Sequence, residues 1–275
     1  LFLIFNMTKF TYSVVIPTWN GLDHLKTNLP QILKLPVNEF IIIDDHSPQN
    51  DYQYIKNYFP DVIVRRNEKN FGFGTTVNRG VALATSDIVI LLNLDAIPSL
   101  DILHFLDTDF SDPSIFAVSL SEPQFGPTVA SFSQGYITHN PMIPRPKVIT
   151  QTMWVSGGSG AFRKKYWDQL QGLDSIYDPF YWEDIDICMR ASKLGWINLW
   201  NPNAHVQHEH EKTIGVYVDK TYKIKIQERN HLLFTWKFLT FQQWPIHIFF
   251  LFLRLIKHPR YSKIIFFALK RKINH

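Results

Sequence analysis

The sequence predicts an α/β fold in which helices cover both faces of a mostly parallel sheet. Strand-like and helix-like segments alternate through the first half of the 275-residue chain, the strand segments are continuous runs of Val, Ile and Leu, and polar motifs follow several of them. Ligands of such sheets bind beyond the carboxyl ends of the strands. We therefore expect the functional site at that edge.

The predicted elements of the first half follow one another in a regular order. Strands are expected at Tyr12–Pro17, Phe40–Ile43, Val62–Val64 and Ile88–Leu92, and helices at Leu22–Leu35, around Tyr52–Phe59 and at about Thr75–Ala84. The strands are interpreted as buried because they are almost entirely apolar, whereas the helices place apolar residues at helical spacing. Five prolines between Ser121 and Gln151 interrupt regular patterns, so we expect a long irregular loop there.

Regular structure returns near Met153, and a glycine run follows at positions 157 to 160. A phosphate-binding loop is one interpretation, but such a loop normally opens a helix after a Lys-Ser/Thr signature, which is missing here, so we favour a tight turn. Later elements are predicted by their apolar spacing and by prolines. They are a helix from Glu183 to Leu194, a strand at Trp196–Trp200, a helix at Val218–Leu239, a helix starting at Pro245, and a last stretch opened by Pro259.

Composition excludes several classes of protein. The chain is 45% apolar and has one cysteine, Cys188, so neither a disordered chain nor a disulfide scaffold fits. One thiol in this length favours a reducing, cytoplasmic compartment. The longest apolar run near the C-terminus, Ile248–Leu253, is far shorter than the roughly 20 residues of a membrane-spanning helix. We interpret Met7 as a plausible true start and residues 1–11 as disordered or extended.

Charge is distributed unevenly along the chain. Residues 1–211 contain 15 basic and 22 acidic side chains, whereas residues 212–275 contain 13 basic and 2 acidic ones. A mildly acidic body with a basic, Phe-rich tail argues against nucleic acid as the partner and favours contact with an anionic membrane surface. In the helix after Pro245, one apolar face is expected opposite a basic one. The apolar face holds Phe249, Phe252, Leu253 and Ile256, and the basic face holds His247, Arg254, Lys257 and His258. A helical hairpin packed on the preceding domain is the alternative.

Two groups of carboxylates are candidates for chemistry. Asn93 and Asp95 lie two residues apart after a strand, so both side chains can face one ligand, although a turn or helix cap also explains Asp95. Glu183 and Asp184 open a helix, where acidic residues are common because of the helix dipole. Three aromatic residues, at positions 180 to 182, immediately precede them, and this arrangement is typical of sugar stacking.

Seven motifs in this order resemble those of inverting family 2 glycosyltransferases with the GT-A fold. They are PTWNG (17–21), IIIDDHS (41–47), NFGFGTTVNRG (70–80), LLNLDA (91–96), GSGAFRKKYWDQLQGLD (158–174), FYWEDIDICMR (180–190) and VQHEH (206–210). The Asn-x-Asp form and the 70–80 motif are most similar to the rhamnosyltransferase-like branch. The resemblance covers residues 12–215, which we interpret as the GT-A glycosyltransferase domain, with residues 216–275 as a helical C-terminal extension.

The resemblance implies a role for each matching position. It places the nucleotide sugar against Pro17, Thr18, Trp19, Asn20, Asp44, Asp45, Asn70, Gly72, Gly74, Asn78, Asn93 and Asp95. Among these, Trp19 would stack on the base, and Asp44 or Asp45 would accept the pyrimidine N3–H. Asp95 and His208 would bind a divalent metal, Mn²⁺ or Mg²⁺, although Asn93 is neutral and His205 and His210 lie close by.

The resemblance also implies a single in-line displacement at the anomeric carbon. Asp184 would act as the general base, Trp182 and Glu183 would contact the acceptor, and Arg190 is expected to form an ion pair on the same helix. The expected reaction moves a sugar from a UDP- or dTDP-sugar to a glycan or lipid-linked acceptor, in the cytoplasm or on the inner face of the cell membrane, during bacterial-type surface polysaccharide assembly. A sugar nucleotidyltransferase and a non-catalytic nucleotide-sugar binding protein are the alternatives.

Overall fold

A nine-stranded sheet forms the centre of the molecule. The computed structural model describes residues 9–208 and 218–275, so Met7 and His210 lie outside the described residues. Each strand is named here in chain order. The strands are β1 (Tyr12–Thr18), β2 (Glu39–Asp44), β3 (Ile63–Arg66), β4 (Ile88–Leu92), β5 (Ala96–Pro98), β6 (Ile115–Ser121), β7 (Thr128–Ser133), β8 (Tyr136–Pro141), β9 (Thr150–Gln151), β10 (Ser159–Arg163) and β11 (Ile197–His208).

The sheet has the order β3-β2-β1-β4-β10-β6-β11-β5, with β9 also paired to β11. The first four strands in this order are parallel, and so are β6 and β11. Strand β10 is antiparallel to both β4 and β6, and β5 and β9 are antiparallel to β11. The predicted α/β class with a mostly parallel sheet is therefore confirmed, with an antiparallel strand inserted at its centre.

Helices cover both faces of this sheet. In chain order they are α1 (Leu22–Thr27), α2 (Leu29–Ile32), α3 (Asp51–Tyr58), α4 (Phe73–Leu83), α5 (Ile102–Asp109), α6 (Lys164–Gln169), α7 (Glu183–Lys193), α8 (Lys220–Phe238), α9 (Trp244–Lys257) and α10 (Ser262–Ile273). One apolar core on each face contains the inward side chains of the strands, such as Val14 on one face and Val15 on the other. This alternation follows from the two-residue period of a strand.

The segment from Ser121 to Gln151 differs from the expected irregular loop. It contains an antiparallel hairpin of β7 and β8, paired from Thr128↔Pro141 to Ser133↔Tyr136. Gln134 and Gly135 form its two-residue turn with φ of 49° and 79°, and glycine adopts such angles readily. The prolines lie at the ends of the hairpin and outside it, so they do not interrupt its ladder.

Two further elements depart from the predictions. The expected single helix at Leu22–Leu35 is two short helices that meet at Asn28, because Pro30 has no N–H to continue the first helix. The strand expected to end at Trp200 continues to His208 as β11, with a register shift after Trp200. His208 therefore belongs to a strand of the sheet.

The C-terminal helices α8 and α10 pack on the domain that precedes them. Leu232, Phe234 and Phe238 of α8 share a third apolar core with Tyr136 of the hairpin and with Ala268 of α10. This packing matches the alternative of a docked helical subdomain for these two helices. Within residues 9–208 and 218–275, none of the helices combines the length and apolar character that crossing a bilayer requires.

Candidate functional site

A cavity of about 920 Å³ opens at the carboxyl ends of β1, β2 and β4. This is the edge at which parallel sheets bind ligands. Eight of the residues expected to bind nucleotide sugar line it. They are Pro17, Thr18, Trp19, Asp45, Asn70, Gly72, Asn93 and Asp95. His208, the expected second metal ligand, lines the same cavity. The structure thus brings together residues that are nearly 200 positions apart in the chain.

Asp44 and Asp45 follow the same strand but point to different surroundings. Asp44 is fully buried behind the cavity, where it pairs with Arg66 at 2.9 Å and accepts the Ser47 N–H at 2.8 Å. Burial nevertheless raises the pKa of Asp44 above its usual value. Asp45 lines the cavity. Of the two carboxylates expected near the base, the geometry therefore favours Asp45.

Asp45 also shapes the loop before α4. Its carboxylate accepts the N–H groups of Phe71 at 2.9 Å and Gly72 at 2.9 Å, and an amide N–H of Asn67 at 2.8 Å. Gly72 has φ of 93°, and a Cβ there would lie 2.6 Å from the Pro179 Cα. Only glycine fits this approach without a backbone shift.

Besides Asp44, three expected nucleotide-sugar residues lie outside the cavity wall. The Asn78 side chain instead pairs with both backbone groups of Leu173, at 2.7 and 2.9 Å. Gly74 is buried against Asp178, and Asn20 adopts a left-handed φ of 54° at the turn after β1, where its N–H donates to Ser47. Each of the three contacts neighbouring parts of the protein here, and their contact with a nucleotide sugar stays a prediction.

The cavity ends at a buried group of Asp95, His208 and Glu122. The two nitrogens of the His208 ring face opposite carboxylates, with Nε2 3.1 Å from Asp95 Oδ1 and Nδ1 2.9 Å from Glu122 Oε1. Burial disfavours the charged imidazole, but the hydrogen bonds to both carboxylates outweigh it and raise the pKa of His208 to about 9. Glu122 was missed in the sequence because it lies in the segment interpreted as a loop, and no motif surrounds it.

Asp95 and His208 suit a divalent metal as a two-ligand pair. Carboxylate oxygen and imidazole nitrogen are both accepted by Mn²⁺-like ions, and Glu122 would orient the imidazole from its other nitrogen. Glu122 does not converge on the same point as Asp95, because the ring lies between them. Accordingly, the described ranges contain no group of three or more His, Cys, Asp and Glu arranged around one metal position.

Helix α7 places a pair of carboxylates beside the cavity. Asp184 accepts the Gly157 N–H at 3.2 Å and the Ile185 N–H at 2.9 Å. A Cβ on Gly157 would lie 3.0 Å from the ring of Phe73, a residue that lines the cavity. Phe73 and Asp184 therefore both lie against Gly157, and a side chain at this position would meet them.

Burial controls the protonation of this pair. It raises the pKa of Asp184 to about 6, although the two backbone N–H donors oppose the effect. Burial and the Asp184 charge raise the pKa of the Glu183 carboxyl well above its usual range. Glu183 is buried, and its Oε2 has no hydrogen-bond partner among the described residues. The expected contact of Glu183 with an acceptor stays a prediction.

The aromatic residues before α7 divide between two surfaces. Phe180 and Tyr181 line the cavity, whereas Trp182 stacks on His231 of α8 with the ring centroids 4.3 Å apart. Trp182 also packs edge-to-face on His139 of the hairpin, with the ring centroids 5.7 Å apart. Arg190 forms the expected ion pair within α7, at 2.6 Å from Asp186.

Helix α8 contributes a wall of the cavity that the sequence did not indicate. Tyr222, Lys223 and Gln227 lie along this wall, and the Lys223 ammonium lies 5.8 Å from the ring centroid of Tyr181. One turn later, Asn230 donates to the carbonyls of Tyr177, Phe180 and Tyr181 at 2.6 to 2.9 Å. The C-terminal extension is therefore part of the site.

Known proteins resemble this chain in sequence and in fold. An uncharacterized protein of Sinorhizobium fredii, y4gI, is 24% identical in a 225-residue alignment that covers 74% of this chain and 25% of that protein. An N-acetylglucosaminyl-diphospho-decaprenol L-rhamnosyltransferase of Mycobacterium tuberculosis is 34% identical over 62 residues, 22% of this chain and 20% of the relative. The chain thus spans a quarter or less of the length of these curated relatives.

Three solved structures share the fold at low sequence identity. GalNAc-T7 with UDP, GalNAc and Mn²⁺ has a TM-score of 0.65 at 18% identity, covering 82% of this chain and 47% of that one. The mannosyltransferase PcManGT of Pyrobaculum calidifontis, in complex with GDP-Man and Mn²⁺, has a TM-score of 0.60 at 16% identity, and the match covers 83% of this chain and 63% of that one. Residues 1–349 of S. aureus TarS in complex with UDP have a TM-score of 0.54 at 14% identity, and the match covers 80% of this chain and 70% of that one. The fold is therefore GT-A.

The sequence match to a family model agrees with this fold. The model named Glycosyl transferase family 2 matches residues 13–165, more than half of the chain. That range runs from β1 to the start of α6 and contains Trp19, Asp45 and Asp95 of the cavity wall. The chain belongs to glycosyl transferase family 2.

Proposed function

We propose that this protein transfers a sugar from a UDP- or dTDP-sugar to an acceptor hydroxyl with inversion at the anomeric carbon. One observation supports this most strongly. A single cavity is lined by an aromatic residue and a carboxylate, Trp19 and Asp45, and by Asp95 and His208. Asp184 lies against Gly157, as does Phe73 of the cavity wall. A base, a diphosphate and a reacting sugar need these three environments.

Trp19 and Asp45 are the proposed contacts of the pyrimidine. The half-buried Trp19 offers a ring face for stacking, and Asp45 offers an acceptor for the N3–H. A carboxylate accepts about four hydrogen bonds, and the three donors to Asp45 among the described residues are Phe71, Gly72 and Asn67. One acceptor position is then left for the base.

Asp95 and His208 are the proposed protein ligands of a divalent metal, Mn²⁺ or Mg²⁺. When bound, the ion would neutralise the charge that develops on the departing diphosphate. Glu122 would hold the His208 ring in the required orientation through Nδ1. Asn93 lines the same part of the cavity and is suited to hydrogen-bond the ribose or the sugar.

Asp184 is the proposed general base. Its carboxylate accepts the proton of the acceptor hydroxyl while the acceptor oxygen forms a bond to the anomeric carbon. The bond from that carbon to the diphosphate oxygen breaks on the opposite side, and its electron pair leaves with the diphosphate. A pKa of about 6 suits this role, because the carboxylate is ionised near neutral pH and still basic enough to accept a proton.

The proposed acceptor is a glycan or a lipid-linked saccharide of a surface polysaccharide. A 62-residue similarity to an enzyme whose name specifies a diphospho-decaprenol acceptor supports the lipid-linked form. Trp182 is half-buried next to His139 and remains the candidate for stacking on an acceptor sugar. The family membership argues against a sugar nucleotidyltransferase, whereas a non-catalytic binding protein would keep the cavity and lack transfer.

Nucleotide binding provides the first test. UDP or dTDP should bind in isothermal titration calorimetry with Mn²⁺ or Mg²⁺ present and bind more weakly with EDTA, because Asp95 and His208 would share the metal with the diphosphate. GDP and ADP serve as controls for the pyrimidine contact. Failure of both UDP and dTDP to bind with either metal would contradict the proposal.

Lys223 provides a second test, because it adds a positive charge from the C-terminal extension to the cavity. We propose that its ammonium contacts the diphosphate. Lys223→Met should weaken UDP binding about tenfold, since a charge-assisted hydrogen bond contributes about 1.5 kcal/mol or more. Lys220→Met, on the exposed first turn of the same helix, should bind like the unchanged protein. Equal affinities of the two variants would remove Lys223 from the donor site.

A further inference from the structure

Helix α9 is attached to the protein through polar side chains. His247 is fully buried, with Nδ1 2.6 Å from the Gly135 carbonyl oxygen and Nε2 2.9 Å from the Trp236 indole N–H. The Arg254 guanidinium lies over the rings of Tyr136 and Tyr261, at 5.0 and 4.4 Å from their centroids. It also pairs with Glu228 of α8 at 3.5 Å. The side of α9 that faces the protein thus carries an imidazole and a guanidinium.

The opposite side of the same helix is apolar and exposed. Ile248, Phe249, Phe252 and Ile256 share this face, and each is 57% to 61% exposed. A surface helix of a globular protein normally turns its apolar stripe to the core and its charges to water. Helix α9 has the reverse orientation, which is unfavourable in water unless another apolar phase covers the exposed face.

Helix α10 also exposes apolar side chains, although its inner side is apolar. Its exposed apolar residues are Phe266, Leu269 and Ile273, with Phe266 at 69% and Ile273 at 80% exposure. Lys263 and Lys270, one heptad apart, are exposed on the same helix. Ala268 holds the other side of α10 in the third apolar core. Both helices after α8 therefore combine a fixed inner side with an apolar outer side.

The charge of this region selects the partner. From residue 229 to residue 275 the chain has nine lysines and arginines and no aspartate or glutamate. A second copy of the chain would bring the same excess of positive charge to the contact, so self-association through this face is opposed. An anionic bilayer offers both negative headgroups and an apolar interior.

We propose that the exposed faces of α9 and α10, here called the lipid-facing surface, dock the protein on anionic membranes. The surface consists of Ile248, Phe249, Phe252, Ile256, Phe266, Leu269 and Ile273, with Lys263 and Lys270 beside it. The apolar side chains enter the boundary between headgroups and acyl chains, and the lysines contact the headgroups. Docking does not involve the donor cavity, so it is independent of nucleotide and of transfer activity.

Vesicle flotation of the full chain, without nucleotide, tests the proposal. The protein should float with phosphatidylcholine vesicles that contain phosphatidylserine and remain below vesicles of phosphatidylcholine alone. High salt should reduce the bound fraction several-fold, because screening weakens the headgroup contacts. Point variants suit this test better than a chain ending near Lys237, since removing α10 would also uncover the apolar side of α8 that Ala268 covers.

Two double variants separate the contribution of the apolar side chains from that of the lysines. Phe249→Ser with Phe252→Ser should lower the affinity for anionic vesicles at least tenfold, and Lys263→Glu with Lys270→Glu should abolish the preference for phosphatidylserine. The control is Tyr58→Ser, at a 67% exposed position of α3 on the catalytic domain. All of these positions are exposed, so an unchanged melting temperature will show that each variant is folded.

A fluorescent label reports where the membrane contact lies. The chain has one cysteine, Cys188, which is buried, so Phe252→Cys and Tyr58→Cys can each be labelled with an environment-sensitive dye. Anionic vesicles should shift the emission to shorter wavelength at position 252 and leave it unchanged at position 58. No binding to anionic vesicles at low salt would overturn the proposal. So would binding that the double Phe variant retains, or a dimer in solution that this variant abolishes.

Discussion

The chemistry of individual residues depends on very local surroundings. Asp44 and Asp45 are adjacent, yet Asp44 is buried at the end of β2, where it pairs with Arg66, and Asp45 lines the cavity. Glu183 and Asp184 are also adjacent, and burial raises the pKa of both, but the charge of Asp184 raises the pKa of Glu183 further. Residue type alone does not separate the members of either pair.

Two substitutions separate the proposed roles of the carboxylates. Asp184→Asn keeps the shape of the side chain and one acceptor oxygen for the two backbone N–H donors, but it cannot accept a proton. Transfer should therefore fall by about 10²- to 10⁴-fold while UDP affinity is maintained. Asp95→Ala should instead weaken UDP and Mn²⁺ binding together. Calorimetry and a transfer assay measure these effects. Equal losses of nucleotide affinity in both variants would contradict the separate roles.

At the scale of elements, the parallel half of the sheet and the order of the motifs were predictable from the sequence. Continuous Val, Ile and Leu runs identify β1, β2 and β4, and the polar residues after them locate the cavity edge. The hairpin of β7 and β8 was not predictable from proline counts, because its stability depends on contacts with α8 and α9 far along the chain. In one such contact, Nε2 of His231 lies 2.8 Å from the carbonyl oxygen of Ile137.

Helix α8 was predicted as a helix, but its partners were not. In the sequence, nothing distinguishes Arg229 and Asn230 from other residues of the helix. In the structure, both are buried against the loop that precedes α7. A one-dimensional pattern indicates that one side of a helix is apolar. It does not indicate which backbone carbonyls a polar residue on that side will bind.

The contact between Asn230 and this loop makes a clear prediction. Asn230→Ala would leave the carbonyls of Tyr177, Phe180 and Tyr181 without this donor, so the free energy of unfolding should fall by about 2 to 3 kcal/mol. Urea denaturation measures the change. Asn140→Ala provides the control, because Asn140 is exposed and donates to Ser131 on the surface of the hairpin. A loss as small as in that control would mean that the loop holds its own position.

At the scale of the whole molecule, the buried His247 and the half-buried His139 and His231 lie where the hairpin meets the C-terminal helices. Burial lowers the pKa of His139 and His247, and it lowers the pKa of His231 to about 4 despite the hydrogen bond to Ile137. All three are therefore held neutral at this interface. The unfolded chain takes up protons below about pH 6.5, whereas folded His231 does so only near pH 4.

The free energy of unfolding should therefore fall in acid. Between these two pH values the unfolded state binds more protons than the folded state. The contribution of His231 to the free energy of unfolding is therefore present above about pH 6.5 and is lost as the pH falls towards 4. The loss is at most about 3 kcal/mol. His231→Gln should show a smaller loss in urea denaturation at pH 7 and pH 5. His258→Gln, at an exposed position, is the matched control and should behave like the unchanged protein. Identical pH dependence in all three proteins would exclude His231 as the source.

The wall that α8 contributes has a consequence for the order in which the molecule is made on the ribosome. Strands β1, β2 and β4 leave the ribosome more than a hundred residues before Lys223 and Asn230. At translation rates of about 5 to 20 residues per second, the nascent chain spends on the order of ten seconds with its parallel strands available and the cavity still open on one side. Completion of the donor site is thus a late event of synthesis, and translation that stops before α8 would release a sheet without a finished site.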